Sequence, residues 1–185
     1  MLRRVWSKSD SPSFFVKGEK MRLELYTIDQ NYIAYLEKID KNVSHSTKQK
    51  EKRPFVGVLL MFDNKSFVAP LTSPKEKHQK MKNTIDFIKI SETYGAINLN
   101  NMVPVDESLI FKINPKDITD KKYSELIRNQ LNFLNVETNK KKIINSAKSL
   151  YEKYLKGLLP NNIRDRCVDF PLLCESLFTY LSSFR

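Results

Sequence analysis

An α+β fold, with a sheet built first and helices added after it, is what the order of patterned segments predicts. Between residues 22 and 113, short apolar runs with strand-like alternation are separated by Asn, Pro and acidic residues. After Pro115 the apolar residues recur instead at helical spacing. Strands followed by helices argue for an antiparallel sheet and against a parallel α/β fold. Two of the apolar runs are joined by Asp63-Asn64-Lys65, the kind of short Asn-containing connection that closes an antiparallel hairpin.

Taken in order, residues 1–20 are rich in Ser and Lys and lack periodicity, so they read as an extension outside the core. Trp6, Phe14 and Phe15 are the residues there able to dock on the domain, and Met21 is an alternative start. The domain itself is expected over residues 21–185. RLELYTI (22–28) alternates as a strand, and Asp29 can cap a helix whose apolar residues Tyr32, Ile33, Leu36 and Ile39 share a face. Residues 40–53 carry Lys41, Lys48, Lys50, Lys52 and Arg53 against Asp40 and Glu51, with a single apolar residue, and read as a basic loop. FVGVLLMF (55–62) and SFVAPLT (66–72) form the hairpin, expected at the sheet centre. TIDFIKI (84–90), YGAINL (94–99) and residues 102–113 add short strands, for five or six in all. Tyr123, Leu126, Ile127, Leu131 and Leu134 fit one helical face; Ile143, Ile144, Ala147, Leu150, Tyr151, Tyr154, Leu155 and Leu158 fit a second. A last helix begins near Pro171, which suits a first turn, and carries Leu172, Leu173, Leu177, Tyr180 and Leu181.

Composition narrows the function classes. At 185 residues, 41% of them hydrophobic, the chain makes one domain with a real core, and 32 Lys and Arg against 21 Asp and Glu give a net charge of +11. Four scattered glycines cannot build a Walker loop or a dinucleotide fingerprint. Two histidines and two cysteines cannot make a zinc finger or an HExxH site, so no metal and no cofactor is expected. Cys167 and Cys174, seven apart on an expected helix, share a face yet sit too far apart to bridge, as in a reduced cytosolic protein. The longest apolar run, residues 55–62, is too short to span a bilayer, and no apolar h-region follows Arg3, Arg4 and Lys8. The expected location is the cytoplasm.

The most informative stretch is PLTSPKEKHQK, residues 70–80. Ser73 fits an N-cap, Pro74 the first helical position, and Glu76 completes a capping box. As structure alone this is a well-made helix start. A helix N-terminus also offers unpaired N–H groups and a positive dipole end, and Lys75, Lys77, His78, Lys80 and Lys82 stand around it, which together describe a phosphate site. Residues 38–53, 75–82 and 140–142 are three basic segments; two of them on one surface would make a nucleic acid the expected ligand, bound in a salt-sensitive way. RNA is favoured over duplex DNA, because no helix-turn-helix or basic zipper is visible and Tyr26, Tyr32, Tyr35, Phe55 and Phe67 are available to stack on bases. The alternative for those aromatics is core packing, with Tyr32 the expected exception.

Tyr26-Thr27-Ile28 with Tyr32-Ile33 and Tyr35-Leu36, Arg53-Pro54-Phe55-Val56-Gly57-Val58, Ala69-Pro70-Leu71-Thr72-Ser73-Pro74-Lys75 with His78, and Ala96-Ile97-Asn98-Leu99 leading to Met102-Val103-Pro104 resemble the ToxN/AbiQ family. That family comprises endoribonuclease toxins of type III toxin-antitoxin and phage-exclusion systems. The similarity runs in order over nearly all of residues 21–180, through YSELIRNQLNFLN and FPLL. It implies a metal-independent RNase with a compact, strongly twisted antiparallel sheet forming a Kid/MazF-like barrel core, flanked by helices. It also implies a partner, a small structured repeat RNA that occupies the substrate groove, inhibits the toxin and closes a ring with it. Carried over by residue, the implied active-site positions are Tyr32, Arg53, Thr72, Ser73 and Lys75, with His78 nearby, and Lys41, Lys48, Lys50, Lys52, Lys77, Lys80 and Lys82 are the expected RNA contacts. Some members place a tyrosine before the Arg53 position, whereas residues 40–52 here contain only His45.

Metal-free RNA cleavage sends the ribose 2′-OH in line onto phosphorus. Lys75 and the N–H groups beyond Ser73 suit the phosphorane, and Arg53 suits a phosphate oxygen. His78 is the first candidate for acid or base; the alternative leaves Ser73 or Tyr32 to relay protons. A non-catalytic RNA-binding module is the second reading of the same residues, and a DNA-binding regulator the third.

Overall fold

The computed structural model describes residues 22–43, 56–62, 64–76, 80 and 82–183. The extension read over 1–20, with Trp6, Phe14 and Phe15, and the alternative start at Met21 lie outside them. Strand β1 (Leu25–Ile28) leads into helix α1 (Gln30–Ile39), and Asp29 caps that helix by accepting the Tyr32 amide at 2.9 Å. Tyr32, Ile33 and Leu36 are its buried face, as the spacing predicts.

The expected hairpin is β2 (Val56–Phe62) and β3 (Lys65–Thr72). Phe62 pairs with Lys65, and Asn64 sits at φ 57°, a left-handed conformation that Asn tolerates. Short strands β4 (Phe87–Lys89), β5 (Ala96–Asn98), β6 (Val103–Pro104) and β7 (Ile110–Lys112) complete a seven-stranded sheet in the order β4-β5-β3-β2-β1-β7, with β6 off that path on β3. The hairpin is central, as expected. Seven strands stand where five or six are predicted, because residues 102–113 divide into β6 and β7 on different partners: β6 on β3, β7 on β1. The path is open, with β4 at one end and β7 at the other, so among the described residues the strands do not close the barrel that the resemblance implies.

Strand β3 has neighbours on both edges. β2 follows one edge from Pro70 to Lys65, while the other is divided, Phe67 and Val68 pairing with β6 and Leu71 and Thr72 with β5. Between those two sets stands Pro70, which has no N–H to give to a ladder.

The helices after Pro115 are α2 (Lys121–Asn135), α3 (Glu137–Leu155), the short α4 (Asn161–Arg164) and α5 (Phe170–Ser182). Asp120 accepts the amides of Lys122 and Tyr123 to start α2, and Asp169 accepts that of Leu172 to start α5, with Pro171 in its first turn. The predicted faces hold except at their ends, where Tyr123, Leu155, Leu158 and Leu172 are exposed. The cap at Asp169 also corrects the expectation for the cysteines: α5 begins after Cys167, so Cys167 and Cys174 do not share a helix. Both are free, and burial pushes their thiols up to about 12 and about 11, which keeps them neutral. No helix among the described residues is long and apolar enough to cross a membrane.

The helical layer meets the sheet at Phe67, fully buried on β3, whose ring lies 5.1 Å from Phe62, 5.3 Å from Tyr151 of α3 and 6.4 Å from Phe170 of α5. A polar clamp adds a second tie. Asp86, 2% exposed, accepts Arg166 Nε at 2.6 Å and Nη2 at 2.9 Å, and also the Thr84 hydroxyl at 2.8 Å. Removing one partner of such a pair leaves a buried carboxylate short of donors. Arg166→Ala is therefore expected to lower stability by about 1 to 3 kcal/mol in urea unfolding. Arg166→Lys should recover only part of that, since an ammonium cannot bridge both oxygens side by side.

Candidate nucleic-acid site

At its C-terminal end β3 leaves the sheet as Thr72, which is half-buried, and the chain becomes exposed at Ser73, Pro74 and Lys75. Thr72 is in register with Ala96 of β5, and its hydroxyl donates to the Ala96 carbonyl at 3.5 Å, a long contact. Residues 73–75 have no regular structure and Glu76 and Lys80 are helical, so the first helical residue is Glu76, two positions after the Pro74 that the sequence puts at the first turn. Lys80 and Lys82 are exposed on the same segment. One short stretch thus presents a hydroxyl, an ammonium and the beginning of a helix to solvent, at the end of a strand anchored on both edges.

The turn before β5 fixes this stretch from beneath. Gly95 stands at φ 91°, and a Cβ built on it would run into the Thr72 carbonyl oxygen and lie 3.3 Å from the Ser73 carbonyl carbon. Its own carbonyl accepts the Ile90 amide at 2.8 Å, and the neighbouring Tyr94 carbonyl accepts Nε2 of the buried Gln130 at 2.8 Å, tying the turn to α2. Sequence reasoning missed Gly95, since a glycine between Tyr94 and Ala96 gives no sign of what its backbone touches. It is needed twice over, for its positive φ and for the close approach.

Tyr32 corrects an expectation. It is fully buried, its hydroxyl donates to the Pro104 carbonyl at 2.8 Å, and its ring lies 5.0 Å from Tyr180. Pro104 is opposite Phe67, five residues before Thr72, which puts that contact about 16 Å along β3 from the candidate site. Burial raises the phenol above its ordinary range, so this tyrosine holds its proton and neither relays one nor stacks on a base. Phe67 is core too, and Tyr26 is buried.

Arg53, His78, Lys48, Lys50, Lys52 and Lys77 lie outside the described residues, as do His45 and Phe55. Lys41 is exposed beyond α1 and lines a groove of about 630 Å³ with Lys38 and Arg164, but also with Glu37, Asp40, Asp165 and Asp169. Acidic groups there match the basic ones, and none of the described residues 72–82 lines it. Asp40 and Asp169 are occupied with backbone amides, Asp40 accepting those of Asn42 and Asp169 itself. The structure therefore separates Lys41 from the Thr72–Lys82 stretch.

Lys142 of α3 and Asn83, the residue that follows the 75–82 segment, line one cleft of about 280 Å³ beside Lys89 of β4. In the 140–142 run, Lys140 and Lys141 pair with Glu137, while Lys142 faces the cleft. That meeting is a tertiary fact, with no local sequence signal.

The description "Toxin ToxN, type III toxin-antitoxin system" belongs to the family model that matches residues 24–178. Endoribonuclease ToxN of Pectobacterium atrosepticum is 29% identical over 144 residues, covering 73% of this chain and 83% of that protein. Endoribonuclease AbiQ of Lactococcus lactis subsp. lactis is 29% identical over 187 residues, covering 94% and 99%. A solved structure from work on type III toxin-antitoxin systems, with selective toxin inhibition by a non-coding RNA pseudoknot, superposes with a TM-score of 0.68 at 25% identity, covering 86% of this chain and 98% of its own.

Two substitutions separate the core from the site. Tyr32→Phe should cost about 1 to 3 kcal/mol in urea unfolding by leaving the Pro104 carbonyl without its donor, and should leave amide chemical shifts at residues 72–75 unmoved. Gly95→Ala should cost a similar amount, about 1 to 3 kcal/mol, through strain and displaced backbone, with the largest amide shifts at Thr72 and Ser73.

Proposed function

Because the chain belongs to the ToxN family of type III toxin-antitoxin toxins, we propose that it is an endoribonuclease toxin held inactive by an antitoxin RNA and acting in phage defence from the cytoplasm. The observation that carries this reading is the exposed Thr72-Ser73-Pro74-Lys75 stretch where the central strand gives way to helix. Relatives named as endoribonucleases and a net charge of +11 support it. The toxin is a single domain over residues 21–185, its strongly twisted sheet a variant of the Kid/MazF core.

The reaction needs no metal on this reading, because hydroxyl, ammonium and amide groups supply what it requires. The ribose 2′-OH loses its proton to a base and attacks phosphorus; the bond from phosphorus to the 5′ oxygen breaks, and that oxygen takes a proton. The products are a 2′,3′-cyclic phosphate and a 5′-hydroxyl. Lys75 and the amides after Ser73 hold the phosphorane oxygens, and donors fixed in place before the charge develops need no reorganisation. Thr72, backed by Gly95, sets where those amides stand. Arg53 is the candidate for taking a phosphate oxygen bidentately. His78, three residues past Lys75, is the candidate acid or base, with Ser73 the remaining relay now that Tyr32 is in the core. Lys77, Lys80 and Lys82 continue the phosphate track, to which Lys48, Lys50 and Lys52 of the basic loop add.

The antitoxin is a small structured repeat RNA that fills the same groove and assembles with the toxin into a closed ring. Ser73→Ala and Lys75→Ala should each lower the cleavage rate about 100 to 1000-fold in EDTA-containing buffer while circular dichroism stays that of the native protein. New 2′,3′-cyclic phosphate ends made by the unmodified protein support the enzyme. Salt-sensitive retention of RNA without new ends points to the non-catalytic module, and native rates in both variants remove the site assignment.

A further inference from the structure

The cleft between the β4 turn and helix α3 has a different chemistry from the phosphate track beside it. Phe133, half-buried, supplies the apolar floor, with Ile88 and Ile143 buried beneath it, and Asn83, Glu92 and Lys142 stand at its rim. Phosphate oxygens have no use for such a floor, whereas the flat face of a base does, and a half-buried phenylalanine is a stacking platform for any base. At about 280 Å³ the space lies just below the roughly 300 Å³ at which pockets for drug-sized ligands begin, so a single ring system suits it.

The rim offers both kinds of polar group that a base edge needs. Asn83 Oδ1 accepts the Lys89 amide at 2.8 Å, which fixes the side chain with its NH₂ as a donor. Glu92 supplies an acceptor, held by Lys89 Nζ at 3.3 Å with its side chain 68% exposed. The location follows from the sheet register: Thr72 is opposite Ala96, and Ala96 opposite Lys89. Two strand spacings, about 10 Å, therefore separate the Thr72 backbone from the cleft. Lys82, one residue from Asn83, and Lys142 across the opening stand where the flanking phosphates would pass.

We propose that this cleft is a base-reading subsite, which receives the base of a nucleotide next to the cleaved linkage and sets the enzyme's sequence preference. The inference rests on the endoribonuclease reading and deepens it. The ligand is single-stranded RNA, because a base paired in an A-form helix cannot turn its face onto Phe133. Glu92 and Asn83 discriminate between bases through the edge they meet, and Lys142 adds affinity without discrimination.

The test uses the full chain and short RNAs in which one base beside the cut bond is varied. Glu92→Ala should compress the ratio of kcat/KM between the best and worst base about tenfold at one position, while circular dichroism stays that of the native protein. Lys142→Ala should weaken binding of an oligonucleotide with 2′-deoxyribose at the attacked position. That loss should be equal across sequences, with the slope of log affinity against log salt reduced by about 1. If both variants cut RNA with native base preference and native salt slope, the subsite is overturned and the nuclease reading stands. If the unmodified protein neither cuts nor retains RNA, the nuclease reading fails and takes the subsite with it.

Discussion

Strand β3 is held by β2 along one edge and shared between β6 and β5 along the other, and the division falls where Pro70 has no N–H to donate. The two ends of the strand thereby serve different purposes. Toward the hairpin turn, Phe67 is locked among Phe62, Tyr151 and Phe170, so the strand cannot slide without breaking the contact between sheet and helices. Past the proline, Leu71 and Thr72 are gripped by β5, and only then does the chain emerge into solvent. A group that must be fixed before charge develops is best placed at the end of an element that cannot move. The Thr72-Ser73 peptide meets that condition twice over, through β5 and through Gly95 pressed against its carbonyl.

Much of this was legible in the sequence wherever the signal is local. Asp29 before Tyr32-Ile33, Asn64 between two apolar runs and Pro171 behind Asp169 each state a backbone requirement within a few residues, and each is met. Tyr32 shows where local reading stops: a tyrosine on the apolar face of a helix looks the same whether its hydroxyl finds solvent or a carbonyl 72 residues away. Gly95 and the pairing of Asn83 with Lys142 across one cleft are of the same kind. The cysteines erred for a local reason, because Asp169 was not weighed as a cap and the helix was extended back over Cys167. At residues 70–80 the signal is local and chemical together, a capping-box pattern set among lysines.

The sign of the surface field depends on where the carboxylates are used. Asp29, Asp106, Asp120 and Asp169 each accept backbone amides at the start of a helical segment, and the positive end of a helix dipole offsets their charge. Asp40 accepts two further amides, and Asp86 is buried against Arg166. These aspartates do structural work next to positive charge of their own, so they do little to cancel the lysines. Lys75, Lys80 and Lys82 are exposed, and the residues between β3 and the helical Glu76 are Ser73, Pro74 and Lys75, none of them acidic. Glu76 in the same turn is the only acidic residue within residues 70–82. An anion approaching this end of the sheet thus meets amides and ammonium groups with one carboxylate opposing it, whereas at Lys41 it meets four carboxylates against three cations. The same count of charges that makes the chain basic throughout gives it one face suited to a phosphate backbone.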